Sequence, residues 1–321
     1  HDALPILTAI DPYGHELWRW TFPVNKLNQQ TEQLSPLSSR PTYTETENDL
    51  TVKANKRTFI FSKKDGQLKG VSVDNRKISF ANGPRFIGAR RADRSLDQFY
   101  NHDDEKAKEK DRTYSEFPDA AVFTKLDVKQ DGGDLVVTAN YKLGNLDKAQ
   151  WTINPSGDLA LDYTYNFSGV VDLMGIRFDY PEDQVISKRW LGAGPYRVWQ
   201  NRIHGTQYDV WENDYNDPIP GETFTYPEFK GYFGDVSWMN IQTKEGTISL
   251  TNETPDAYIG VYQPRDGRDR LLYTLPESGI SVLNVIPPVR NKVNSTDLCG
   301  PSSQPKWVNG PQTGRVIFRF M

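Results

Sequence analysis

A single cysteine, Cys299, stands in 321 residues, so no intrachain disulfide can form and no cysteine-based zinc site can be built. Histidine is almost as scarce, with four copies, which leaves few side chains able to exchange a proton near neutral pH. No stretch of about 20 apolar residues occurs, and a membrane-spanning helix is thereby excluded. Neither sign of charge dominates: 38 Lys and Arg against 42 Asp and Glu give a formal net charge of −4, without the basic footprint that nucleic acid or an anionic membrane would demand. The chain opens on His1 with no charged segment and apolar core of a secretory leader, and is expected to be a fragment or a mature piece.

What the chain has is alternation and turns. Only 36% of the residues are hydrophobic while 12% are aromatic, a balance that suits both a sandwich with a wet outer face and a surface that meets the apolar C–H faces of sugars. From Asp49 onward, strand signals recur every eight to twelve residues or so. Arg57–Ser62 turns at Asp65-Gly66 and returns over Leu68–Val73. Ala121–Gln130 turns at Asp131-Gly132-Gly133-Asp134 into Leu135–Tyr141, and Gln150–Ile153 turns at Asn154-Pro155-Ser156-Gly157-Asp158 into Leu159–Asn166. Gly14–Val24 reads as a strand with no hairpin partner of its own. Residues 25–47, from Asn25 to Glu47, are rich in Gln, Ser, Thr and Pro and read as a linker. No dozen-residue amphipathic helix is present, and the charge-dense run Ser95–Asp111 reads as a mobile, solvated loop. Alternation without βα units predicts an all-β sandwich or barrel.

The segment with the most to say is Arg189-Trp190-Leu191-Gly192-Ala193-Gly194-Pro195-Tyr196-Arg197-Val198-Trp199-Gln200-Asn201-Arg202, where two glycines and a proline turn a strand sharply among aromatics. Downstream lie Tyr226-Pro227-Glu228-Phe229-Lys230-Gly231, then Asp235-Val236-Ser237-Trp238, then Gly300-Pro301-Ser302-Ser303-Gln304-Pro305. In this order the chain resembles the C-terminal domain of glycoside hydrolase family 2 β-galactosidases. That domain carries Trp-Leu-Gly-x-Gly-Pro-x-Glu-x-Tyr-x-Asp-Arg, Tyr-x-x-Pro-Gln-Glu-Asn-Gly with Asp-Val-Arg-Trp, and a Gly-Asp-Asp-Ser-Trp-x-Pro loop whose tryptophan reaches the active site. Trp190, Leu191, Gly192, Gly194, Pro195 and Arg202 match in place, whereas Arg197 stands at the acidic position, Trp199 for the tyrosine, Asn201 for the aspartate and Gln304 for the loop tryptophan, with Trp307 nearby. The likeness runs over roughly residues 47 to 320.

The resemblance implies a large antiparallel β-supersandwich of the galactose mutarotase-like type over residues 48–321, with residues 1–24 as the terminal strand of a preceding immunoglobulin-like domain. It also implies a carbohydrate partner, a periplasmic or secreted location, and hydrolytic carboxylates on an upstream TIM barrel of the same polypeptide. This chain has no βα repeat with which to build such a barrel. The substrate-facing residues it implies are Arg197, Trp199, Arg202, His204, Trp211, Glu228, Lys230, Gln304 and Trp307, with no catalytic residue among them.

Two readings of that group stay open: a polar rim with aromatic platforms around a sugar, or a turn shaped by Gly192, Gly194 and Pro195 in which Trp190 and Trp199 fill core and Arg202 holds the bend. Tyr208, Trp211 and Tyr215 are further candidates for stacking on a sugar. A mutarotase-like enzyme would need an acid and a base beside the ring, and only His102 and His204 lie outside the first strand. A free-standing carbohydrate-binding or scaffolding module is the other alternative. No cofactor is expected; Ca²⁺ is the one metal the oxygen-rich runs Asn101–Asp104 and Asn213–Asp217 could take, and neither has EF-hand spacing.

Overall fold

The computed structural model describes residues 5–22, 39–91, 114–214, 231–262, 276–288 and 300–321. Ser95–Asp111 and Asn101–Asp104 lie outside them, as do Tyr215, Asp217, Glu228 and Lys230. In chain order the strands are Ile6–Ile10 (β1), Glu16–Thr21 (β2), Thr42–Glu45 (β3), Asp49–Ala54 (β4), Arg57–Ser62 (β5), Leu68–Val73 (β6), Arg76–Ile78 (β7), Ala81–Arg91 (β8) and Tyr114–Glu116 (β9). Then come Val122–Asp131 (β10), Asp134–Lys142 (β11), Leu146–Ile153 (β12), Leu159–Val171 (β13), Leu173–Asp179 (β14), Val185–Gly194 (β15) and Gln207–Asn213 (β16). The last are Trp238–Thr243 (β17), Gly246–Asn252 (β18), Tyr258–Tyr262 (β19), Gly279–Val285 (β20) and Lys306–Phe320 (β21).

Among the described residues these strands form two large antiparallel sheets and one small one. The nine-stranded sheet runs β10-β11-β12-β13-β21-β18-β17-β15-β16. The ten-stranded sheet runs β19-β20-β14-β8-β6-β5-β4-β3, with β7 on β6 and β9 on β8. Among the described residues helical structure is limited to short 3-10 turns such as Glu182–Gln184 and Pro301–Ser303. The all-β sandwich expected from alternation is the fold observed.

Alternation sets the core. Leu135, Val137 and Ala139 on β11, Leu50, Val52 and Ala54 on β4, and Val316, Phe318 and Phe320 on β21 all point inward and are buried. Rings then join the two sheets: Phe61 meets Trp151 at 5.9 Å between centroids, and Phe80 meets Phe318 at 5.0 Å. Each fully buried aromatic of this kind stabilises the fold by roughly 2–3 kcal/mol.

Two expectations are corrected. The Glu16–Thr21 strand does have a hairpin partner, since Ile6 lies opposite Thr21 and Ala9 opposite Trp18. The turn between them was written in Asp11-Pro12-Tyr13-Gly14, where the Asp11 carboxylate accepts the backbone N–H of Tyr13 and of His15 at 2.8 Å each. The second correction concerns the linker. Thr42–Glu45, inside the 25–47 stretch, is the edge strand of the ten-stranded sheet, paired with β4 from Thr42 opposite Lys53 to Glu45 opposite Leu50. Four residues are too few for composition to betray a strand against a polar background.

The last strand is stapled at its end. Arg319 donates to both carboxylate oxygens of Asp158 at 2.7 and 2.9 Å, and Arg57 reaches from the other sheet to the carbonyls of Phe320 and Ser156 at 2.6 Å each. Asp158 is only 7% exposed. Burial pushes its pKa up, but the Arg319 hydrogen bonds and charge, helped by the Asn154 amide, outweigh burial and hold the carboxyl below the ordinary aspartate value. A depressed folded pKa means the pair stabilises at neutral pH, and that this contribution is lost as pH falls through the acid range. Arg319→Met is therefore expected to cost about 3 kcal/mol at neutral pH by leaving a buried carboxylate unpaired. Denaturant melts should show that deficit shrinking towards zero as the pH is lowered and Asp158 becomes neutral in the variant; a pH-independent deficit would contradict the assignment.

Candidate functional site at one end of the sandwich

Strand β15 delivers the first motif. It lies between β16 and β17, so that Leu191 faces Val210 on one side and Trp238 on the other. Trp190 points inward, edge-on to Phe233 at 4.9 Å, and its indole N–H is donated to the Ala193 carbonyl at 3.0 Å. The strand can pass here only because Gly192 and Gly194 lack side chains. A Cβ on Gly192 would stand 3.0 Å from both the Gly234 carbonyl oxygen and the Val236 Cα, and one on Gly194 would overlap the Trp211 indole at Cδ1 and Cγ. Neither glycine has a positive φ, so close approach is what both positions require.

Beyond Pro195 the chain leaves the sheet and meets the second motif. Val198 and Tyr232 exchange backbone hydrogen bonds of 2.7 and 2.9 Å, and Phe233 does the same with Ile259 at 2.9 Å each way. Trp199 follows into a small apolar cluster with Ile87, Leu173, Tyr232, Leu283 and Ile286. Its ring stands edge-on to Tyr232 at 5.6 Å. Trp199 and Arg202 then close a tight turn, Arg202 N–H to the Trp199 carbonyl at 2.8 Å.

The third motif docks on that turn. The Gln200 side-chain amide donates to the carbonyls of Ser302 and Gln304 at 2.9 and 2.7 Å, and the Asn201 amide donates to the Ser303 hydroxyl at 2.9 Å. Three segments, the second some thirty and the third about a hundred residues beyond the first, thus share one end of the sandwich.

The expected residues fall into three groups. Arg202 and His204 are exposed on the turn, Gln304 is half-buried, and Trp307 is 72% exposed at the start of β21. Arg197 is half-buried, its guanidinium 5.0 Å from the Phe233 ring centroid, a cation–π distance. Trp199, 5% exposed, and Trp211, half-buried over Gly194 with its N–H donated to the Gln207 carbonyl at 3.0 Å, pack into the protein and leave Trp307 and Tyr196 as the open rings here. Tyr208 is also buried, at 8% exposure: it sits opposite the small Ala193, and its hydroxyl shares a 2.6 Å hydrogen bond with Ser237. Burial pushes the Tyr208 pKa up, so the hydroxyl stays protonated. It does not stack on a ligand as its sequence position had allowed.

Gln200 and Asn201 were missed as contacts. Two amides between Trp199 and Arg202 mark a turn, but nothing local announces partners a hundred residues ahead. Among the described residues no group of three or more His, Cys, Asp or Glu could hold a metal ion, and no helix is long and apolar enough to cross a membrane. Described histidines are His15, bonded to Asp11 at 3.0 Å on the β1–β2 turn, and the exposed His204; His102 lies outside the described residues.

The model of the beta galactosidase small chain matches residues 53–287. The chain belongs to that family, a β-galactosidase-associated, carbohydrate-related domain. No curated protein matches the chain. Among solved structures it is similar to a galactose 1-epimerase from Lactobacillus acidophilus NCFM, at 10% identity over 88% of this chain and 99% of that one, with a TM-score of 0.49. It is also similar to a GalM/aldose epimerase homologue from C. elegans, at 7% identity over 87% of this chain and 99% of that one, with a TM-score of 0.38.

Close approach at Gly192 and Gly194 makes them the sensitive points of the β15 turn. Gly192→Val and Gly194→Val are each expected to cost about 2 kcal/mol or more, as overpacking against backbone and a fixed ring does. Thermal and denaturant midpoints check this, and a valine tolerated at both positions would refute it.

Proposed function

We propose that the chain is the C-terminal, sugar-facing domain of a β-galactosidase-type glycoside hydrolase, acting on the substrate pocket of a TIM barrel carried elsewhere on the same polypeptide, in a periplasmic or secreted enzyme. The single observation that supports this reading is the meeting of the 195–204 turn with Tyr232 and the Ser302–Gln304 turn. On the joined turns and at the start of β21 stand Arg202, His204, Gln304 and Trp307, the residues this reading sets toward the sugar. Glu228 and Lys230, outside the described residues, complete the proposed set.

In this reading the domain supplies no nucleophile and no acid. Retaining glycoside hydrolysis needs two carboxylates about 5–5.5 Å apart across the scissile bond, and those belong to the barrel. What this end contributes is shape and polarity: an open indole for the apolar face of a sugar, amide and imidazole groups for hydroxyls, and arginine for a hydroxyl or a carboxylate across the pocket.

Two assays and a titration test the proposal on the chain as it stands. It is expected to hydrolyse no aryl galactoside and to interconvert no sugar anomers, while binding galactose at millimolar concentration, on the order of 4 kcal/mol. Trp307→Ala should abolish that affinity with little change in melting temperature, because the ring is mostly exposed. Anomer interconversion followed by polarimetry and removed by His204→Ala would overturn the proposal in favour of an epimerase-type enzyme.

A further inference from the structure

We propose that Gln200 is a positioning residue that locks the Gly300–Pro305 turn, and with it Gln304 beside the strand-held Trp307, in the sugar-facing arrangement; the inference rests on the proposed sugar-facing role of this end. The turn has almost no apolar anchor of its own. Gly300, Pro301 and Ser302 are exposed, and Ser303, Gln304 and Pro305 are only half-buried. Its internal bonds are two, Ser303 N–H to the Gly300 carbonyl at 2.9 Å and Gln304 N–H to the Pro301 carbonyl at 3.2 Å. A single 3-10 turn with two such bonds does not hold its own shape.

The carbonyls of Ser302 and Gln304 are taken by one side chain. Both N–H bonds of the Gln200 amide are directed at them, at 2.9 and 2.7 Å, and the Gln200 backbone N–H is fixed to the Pro287 carbonyl at 3.1 Å. The amide has only one workable orientation, since flipping it would set its oxygen against two carbonyl oxygens. Its Oε1 is shielded from solvent and accepts no hydrogen bond among the described residues, so the side chain is held in this place by what its nitrogen donates. Gln200 reaches across to the turn two residues before Lys306, where β21 begins, and thereby sets the direction from which the turn meets Trp307, itself held in β21 opposite Val170.

The chemistry distinguishes a donor clamp from mere packing. Gln200→Glu keeps the shape but turns a carboxylate towards two carbonyl oxygens, which raises its pKa and repels the turn at neutral pH. Protonation at lower pH restores one O–H donor. Gln200→Leu removes the donors at every pH.

Hydrogen exchange on the full chain without sugar, corrected for intrinsic rates, is the first measurement. Gln200→Glu is expected to accelerate the Ser303 and Gln304 amides about tenfold or more at pH 7, with protection partly recovered at pH 5; Gln200→Leu loses protection at both. Gln130→Glu, a distant exposed glutamine, leaves these amides as in the wild type. Galactose titration by saturation-transfer NMR is the second, and both Gln200 variants should weaken binding at least about threefold while the melting temperature stays near the wild-type value. Wild-type exchange in Gln200→Glu at pH 7, absence of pH recovery, or a loosened turn with unchanged galactose affinity would each overturn the inference. A wild-type chain with a protected turn and no saturable galactose response overturns its sugar-facing part together with the proposed function, and is recognised by the intact exchange pattern.

Discussion

Everything in the sandwich depends on where the C-terminal strand is inserted. β21 lies between β13 and β18, paired from Leu159 opposite Phe318 to Val171 opposite Lys306 on one side and from Ile248 opposite Phe320 on the other. Without it the nine-stranded sheet is two separate pieces, β10 to β13 and β15 to β18, each with an open edge and half an inner face. Its Phe318 and Phe320 rings also pack against Phe59 and Phe178 of the other sheet and against Phe80 beside it. The closing contacts therefore link distant parts of the chain, which slows folding and leaves strand edges unpaired until β21 arrives.

The same strand ties the core to the candidate site. Its buried end is fixed by Arg319 on Asp158 and by Arg57 on the Phe320 and Ser156 carbonyls, while its other end begins at Lys306 and Trp307 directly after the turn that Gln200 holds. Strand register is quantised in steps of two residues for any side chain that must keep its face. With Phe318 and Phe320 locked inside, the height at which Trp307 emerges is set by the core, and only the direction of the preceding turn is left for Gln200 to decide.

The parts legible in the sequence were those whose causes are local. Hairpins with Asp-Gly or Asn-Pro tips, Val122–Asp131 with Asp134–Lys142 and Leu146–Ile153 with Leu159–Val171, follow from period-two alternation and turn chemistry alone. Strand order is not local. Nothing in Lys306–Phe320 says that it pairs with β13 and β18 rather than forming an edge. The site divides along the same line. Gly192 and Gly194 announced a tight passage because glycine is the residue such a passage needs. A buried Trp199 stood among the two open readings, but the choice between them and the burial of Tyr208 were not readable, since they are decided by Tyr232 and Ser237, which the chain reaches only some thirty residues later.

In the proposed reading, an end of a sandwich built this way completes a pocket rather than being one. Its open ring, Trp307, stands 72% exposed, and the polar groups around it come from turns rather than from the walls of a cleft. Small ligands draw most of their affinity from enclosure that buries 70% or more of their surface, as a general rule, and one ring with a few hydrogen bonds offers far less. What such a surface does offer is pre-organisation: the Gln200 amide and the Val198–Tyr232 bridge remove the ordering cost that a loose loop would incur on binding. In the proposed reading the surface gains its full value only when a second wall closes over the sugar, and that requirement connects a hydrogen-bonded turn on this chain to catalytic carboxylates proposed to lie elsewhere on the polypeptide.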